Sequence, residues 1–149
     1  MKRIALLAYT AGIVDGEGCI CLAKRHRRTV KRDYAIELYV QVGNTNEWLI
    51  QWLKMQFGGC ISSNNRKSQP NKNWKPMWQW TIQHKQAGAF LELIIPFLQI
   101  KKPQAEIAIA FQKTKRRGNP IRTDREWAFQ EAQRILMAKY NLRGKEKNG

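Results

Sequence analysis

Hydrophobic positions along this chain switch repeatedly between helical and strand periodicity. Residues 4–14 (Ile4, Ala5, Leu6, Leu7, Ala8, Tyr9, Thr10, Ala11, Gly12, Ile13 and Val14) are apolar nearly all round, which predicts a buried helix. The stretch is far too short to span a bilayer. From residue 19 the period becomes two: Ile20 and Leu22 point one way, and Cys21, Ala23, Arg25 and Arg27 the other. Residues 34–42 repeat the device, with Ile36, Leu38, Val40 and Val42 inward and Glu37, Tyr39 and Gln41 outward. Joined by a basic turn at residues 29–33, the two runs predict a hairpin. Residues 43–46 read as a turn with Asn44 or Asn46 available as an N-cap. Leu49, Ile50, Leu53 and Phe57 then form a helical stripe that stops at Gly58 and Gly59.

A second hairpin is expected from residues 60–65 and 77–82 across a polar loop. Trp78, Trp80 and Ile82 share one face and Met77, Gln79 and Thr81 the other. Large aromatics at this spacing belong to a core, which leaves Gln79 on the free face. Residues 84–98 predict a helix whose apolar side holds Phe90, Leu91, Leu93, Ile94 and Phe97. Residues 104–113 predict another with Ile107, Ala108, Ala110 and Phe111, and residues 124–140 a last one with Trp127, Ile135 and Leu136 apolar. Residues 143–149 carry no core side chain and read as a disordered basic tail behind a single domain at 1–142. The order is α+β: two hairpins, each with an apolar face for helices to cover and a polar or basic face left free. The repeat of helix plus hairpin suggests an internal pseudo-symmetry.

Charge sharpens this picture. Lys+Arg 27 against Asp+Glu 11 gives the 149 residues a formal charge of +16, and the pI is near 10.2. Such an excess is the electrostatic footprint of a nucleic-acid binder. The basic residues lie among aromatics and amides, not along an amphipathic helix, so a membrane surface is the poorer partner. Cys19, Cys21 and Cys60 have neither the number nor the spacing of a disulfide framework or zinc site. Cys19 and Cys21, two apart in a strand, share a face as packing or groove-lining residues. His26 and His84 are isolated, although His26 in a basic run could touch phosphate. With no export signal evident at residues 1–18, an intracellular, reducing setting is expected, in organelle or cytoplasm according to host.

The sharpest local feature is residues 10–18, Thr-Ala-Gly-Ile-Val-Asp-Gly-Glu-Gly. Ala8, Ala11 and Gly12 at i, i+3 and i+4 would let another helix backbone approach closely. Gly16 and Gly18 let the helix stop and turn into a strand, holding Glu17 at its end. An acid there meets the negative end of the helix dipole and calls for a cation or partner. The segment resembles the signature of the LAGLIDADG homing endonucleases in a single copy. Ala11, Gly12, Asp15 and Gly18 match it letter for letter, and Ile13 and Val14 are conservative replacements. Thr10 replaces Leu, Gly16 replaces Ala, and Glu17 replaces the second Asp, keeping a carboxylate but adding a methylene.

The resemblance implies an αββαββα fold with a curved antiparallel sheet as a saddle over DNA and additional C-terminal helices. It implies a homodimer, with Ala8, Ala11, Gly12 and Asp15 at the helix contact on the dyad. Asp15 can also be structural at the helix terminus. The implied activity is Mg²⁺-dependent, site-specific hydrolysis of double-stranded DNA at a long near-palindromic target, with Mn²⁺ or Ca²⁺ able to substitute in binding. Two copies of Glu17, and the Gly16 carbonyl, would hold the metal. Lys101 matches the family's basic segment and would stabilise charge or orient water; otherwise it is a solvated loop lysine. Asn44 stands where the family places a polar water-positioning residue, or is a turn or cap residue. Base reading falls to Cys21, Arg25, Arg27, Tyr39, Gln41, Ser62, Asn64, Arg66 and Gln79, a mixture of arginine for guanine and amides for adenine. Lys31, Arg32, Lys67, Lys72 and Lys75 suit the phosphate backbone. The origin implied is a free-standing intron-encoded gene. The alternative is a non-cleaving intron-RNA splicing cofactor (maturase) or DNA-binding regulator on the same scaffold.

Overall fold

The computed structural model describes residues 1–28, 34–64, 76–115 and 123–146. Helix α1 (Arg3–Glu17) runs directly into strand β1 (Gly18–His26), which pairs with β2 (Tyr34–Asn44). Helix α2 (Glu47–Phe57) leads to β3 (Cys60–Asn64) and β4 (Met77–Gln83). Helix α3 (His84–Ile94), a 3₁₀ turn at Ile95–Phe97, α4 (Lys102–Thr114) and α5 (Asp124–Glu146) complete the described residues. The four strands form one sheet in the order β1-β2-β4-β3, antiparallel throughout. This is the α+β arrangement expected from the alternating periods.

The strand faces follow the predicted parity. Ile20, Leu22, Ile36, Leu38, Val40, Val42, Trp80 and Ile82 are buried beneath the helices. Val14, Ile50, Leu53, Phe90, Leu91, Ile94 and Phe111 cover them. Each such side chain contributes roughly 1.5–3 kcal/mol on burial. Trp80 anchors the second hairpin twice: its ring packs edge-on to Phe90 at 5.2 Å, and its Nε1 donates to the Gly58 carbonyl at 2.7 Å. That fit requires Gly59, at φ +86°, where a Cβ would lie 2.6 Å from the Thr81 carbonyl oxygen.

Several expectations need correction. Helix α1 is apolar all round yet buries only Thr10, Ala11 and Val14, leaving Ile4 69% and Tyr9 46% exposed. One sheet and its helices can cover only one side of it. Ala11 lies on that covered side, so it does not share the free face with Ala8 and Gly12. Leu93 is also exposed, and Pro96 tightens the end of α3 into the 3₁₀ turn. Helix α4 starts two residues early because Pro103 is tolerated in a first turn.

In α5 the seam is Trp127, Gln130, Gln133 and Met137, while Ile135 and Leu136 are exposed. Hydrophobicity alone misassigned this face because two glutamines fill it, Gln130 donating from Nε2 to Thr114 Oγ1 at 3.3 Å. The helix also continues through Glu146, four residues into the stretch expected to be disordered; residues 147–149 lie outside those described.

Candidate nucleic-acid interface

The site is built where α1 ends. Asp15 takes three backbone N–H groups with its carboxylate: Gln99 on Oδ2 at 2.8 Å, and Ile100 and Lys101 on Oδ1 at 3.2 and 2.9 Å. These amides lead into α4, whose positive end favours an anion. Lys101 closes the arrangement by donating from Nζ to the Asp15 carbonyl at 2.6 Å. The Lys101 ammonium thus offsets part of the negative end of the α1 dipole, at the Asp15 carbonyl. Both oxygens of Asp15 accept hydrogen bonds here, which is the structural role at the helix terminus that the sequence also offered for it.

Glu17, two residues beyond this anchor, is exposed, and its carboxylate meets no donor or cation among the described residues. At the same helix end Val14 O accepts the Gly18 N–H and Asp15 O accepts Lys101, which leaves the Gly16 carbonyl without a protein donor among the described residues. A hard divalent cation suits these oxygens. One chain supplies only a partial set, since no cluster of three or more His, Cys, Asp or Glu occurs among the described residues.

The outer sheet face spreads from Glu17. Across it run Cys19 opposite Gln41, Gln41 opposite Thr81 and Thr81 opposite Cys60. Cys21 faces Tyr39, and Ser62 faces Gln79. The expected readout residues Cys21, Arg25, Tyr39, Gln41, Ser62 and Gln79 thus share one surface. Arg27 lies just past the end of β1. Asn64 has the matching strand position, its side chain outside the described residues, as are Arg66, Lys31, Arg32, Lys67, Lys72 and Lys75.

Two interactions on this face were not apparent from the sequence. Glu37 gathers both arginines: Arg27 donates to Oε1 from Nε at 3.1 Å and also from Nη2, while Arg25 Nε stands 3.8 Å from Oε2 and over the Tyr39 ring. The Glu37 hydrogen bond raises Arg27 above the usual guanidinium range, so its charge is permanent. Asn141, at the far end of α5, donates from Nδ2 to Ile20 O at 3.0 Å and approaches Cys21 Sγ at 3.8 Å, capping the β1 edge.

Cys19 and Cys21 bring their sulfurs to 2.9 Å. The Cys21 thiol hydrogen bond lowers Cys19 to about 7, with the Lys101 charge assisting and burial opposing. Cys21 is pushed up correspondingly, by its bond to Cys19 and then by burial. Burial, with the Cys21 hydrogen bond, raises Tyr39 to about 12. Asn44, by contrast, carries the inward parity of Val42, and its Oδ1 accepts the Asn46 N–H at 2.8 Å. That is an Asx turn into α2, the turn role among its two expected ones. Asn46 occupies the N-cap position without a side-chain bond.

With this geometry in place, the fold is that of the LAGLIDADG homing endonucleases. Among solved structures, I-CvuI in complex with its target in the presence of Ca is similar with a TM-score of 0.70 and 19% identity, over 94% of this chain and 82% of that one. The archaeal intron-encoded I-Vdi141I complexed with DNA gives a TM-score of 0.61 at 13% identity, over 95% and 99%. I-SmaMI bound to cleaved DNA gives 0.69 at 18% identity, over 90% of this chain but 44% of its own. No protein-family model and no curated protein sequence matches the chain. The likeness lies in three dimensions.

Proposed function

We propose that this chain is one subunit of a homodimeric, divalent-metal-dependent, site-specific double-strand DNA endonuclease of the LAGLIDADG type. The observation that carries the reading is Glu17, an unpartnered carboxylate in a strongly basic chain, delivered to a fixed point by a helix end that Asp15 and Lys101 lock in place. The similar structures of I-CvuI with its target and I-SmaMI with cleaved DNA support it.

Dimerisation supplies what one chain lacks. The uncovered side of α1 presents Ala5, Ala8, Gly12 and Gly16, and a Cβ added at Gly12 or Gly16 would meet nothing within 4 Å. Glycine inside a helix costs about 0.5–1 kcal/mol relative to alanine, so open space on this side leaves both unexplained in a lone chain. A second α1 backbone crossing there uses both and brings two Glu17 carboxylates to one dyad. I-SmaMI, more than twice the span matched here, has room for two such units in one chain.

Glu17 and the Gly16 carbonyl would then hold Mg²⁺, by resemblance to the family. Bound there, a divalent ion makes water more acidic and neutralises charge on the attacking and leaving oxygens. Asp15 keeps Lys101 at the helix end, where its ammonium, one hydrogen bond spent on the Asp15 carbonyl, has donors left for a phosphate oxygen. Gln41, Gln79, Ser62 and the Glu37-held arginines read base edges along the groove.

The test is cleavage of a randomised duplex library with Mg²⁺ and with EDTA. The expected result is Mg²⁺-dependent cutting at one long, near-palindromic sequence. Glu17→Gln should abolish cutting while DNA affinity stays within about tenfold, roughly 1.4 kcal/mol. Wild-type cutting by that variant would remove Glu17 from the metal site. Binding without cutting in every metal tried would replace the nuclease with a splicing cofactor or regulator.

A further inference from the structure

Cys19 and Cys21 stand side by side on the proposed DNA face, adjoining Glu17, and no role in hydrolysis requires two thiols there. Both are free, Cys19 exposed and Cys21 half-buried, with sulfurs 2.9 Å apart. Residues two apart in a strand have α-carbons ~6.6 Å apart, at the upper end of the ~4.4–6.8 Å that a disulfide spans. Bringing the sulfurs to ~2.05 Å also draws the β-carbons in to ~3.5–4.5 Å, so the strand must pucker locally as the bond forms. A bond at the edge of the permitted span is readily reduced again, the property of labile, responsive disulfides. Cys60 does not compete: through Gln41 and Thr81 it is three strand spacings from Cys19, roughly 14 Å.

We propose that Cys19 and Cys21 form a reversible redox site, oxidised by a low-molecular-weight disulfide of the glutathione class to an intrastrand disulfide that disables the DNA face. The exposed Cys19 sulfur, as thiolate, attacks one sulfur of the oxidant, forming a mixed disulfide and releasing one reduced thiolate. Cys21 then loses its proton to solvent and attacks the Cys19 sulfur. The Cys19–Cys21 bond forms as the second reduced thiol leaves. The protein gives up two electrons and two protons, and the oxidant becomes two thiols. Closing the bond tightens the pleat of β1 between Gly18 and Leu22. This shifts the strand that leaves Glu17, and it breaks the Cys21 contact with Asn141. Displacement of about an ångström at a catalytic carboxylate is enough to lower turnover strongly. The functional consequence rests on the endonuclease reading; the thiol chemistry does not.

The experiment uses Cys60→Ser protein treated with glutathione disulfide, quenched with iodoacetamide, digested with trypsin and mapped by mass. The peptide spanning residues 4–24 should lack two hydrogens and carry no alkyl group, and dithiothreitol should restore both thiols. Cleavage by the oxidised protein should fall by about tenfold or more and recover on reduction. With Cys21→Ser added, oxidation should stop at a Cys19 glutathione adduct. Two alkylated cysteines after oxidation, or a persistent adduct when both thiols are present, would overturn the site. A mapped disulfide with unchanged DNA binding and cleavage would overturn its regulatory effect. Reduced protein that never cleaves DNA would sink the nuclease reading and leave the mapped bond standing.

Discussion

Asp15 accepts three N–H groups that are 84, 85 and 86 residues away in the chain, and this one carboxylate joins the end of α1 to the start of α4. Asp15→Ala should therefore cost about 1–3 kcal/mol by leaving those donors without their acceptor. Urea unfolding checks this, and an unchanged midpoint would mean that the anchor is not formed. Cys19 offers a second measurement. Its thiol is lowered to about 7 chiefly by the Cys21 hydrogen bond, so the thiolate accumulates as pH rises through about 7 instead of the ordinary ~8.5. Iodoacetamide alkylation of Cys19 should reach half its maximal rate near there. In Cys21→Ala the midpoint should move up, because the donor to the thiolate is gone; a midpoint that stays in place would assign the shift elsewhere. Neither Asp15's anchor nor the thiol pair's coupling is legible from residue type. The motif marks Asp15 as important, and only the packed α4 shows that its partners are backbone amides.

At the scale of elements, the strands were the readable part. Alternation of period two fixes which side of β1, β2 and β4 is buried, because a one-residue slip would turn every apolar side chain outward. The helices were less readable. Helix α5 hides Gln130 and Gln133 and exposes Ile135 and Leu136, with Gln130 hydrogen-bonded to Thr114 of α4. Helix α1 posed the opposite problem: every side looked apolar, so only the fold distinguishes the covered side of Ala11 from the open side of Gly12. That distinction predicts the behaviour of Gly12→Arg. The new side chain meets open space within one chain and should leave folding of the subunit intact. In the proposed dimer it would have no room between two copies of α1, so sedimentation equilibrium should show monomer in place of dimer, with loss of double-strand cutting. A variant that remains dimeric would place the subunit contact elsewhere.

For the whole molecule, the charge of +16 and the polar sheet face act together. Affinity for any duplex should fall steeply and linearly on a logarithmic salt scale, with a slope of about −0.9 per phosphate contact. Gln41→Ala should leave that slope unchanged and relax preference at one base position by roughly 1–3 kcal/mol; equal weakening on every sequence would make Gln41 a backbone contact. The order of elements, the parity of the strands, the excess charge and the presence of a helix-end acid were determined by sequence alone. All four are local or additive properties, readable from periodicity and composition. Tertiary structure decided what depends on residues remote in the chain: Lys101 with the Asp15 carbonyl, Glu37 between two arginines, Asn141 on the edge of β1, and the open side of α1. Such contacts form only when the core closes, since burial selects which polar groups must find partners and which faces stay free.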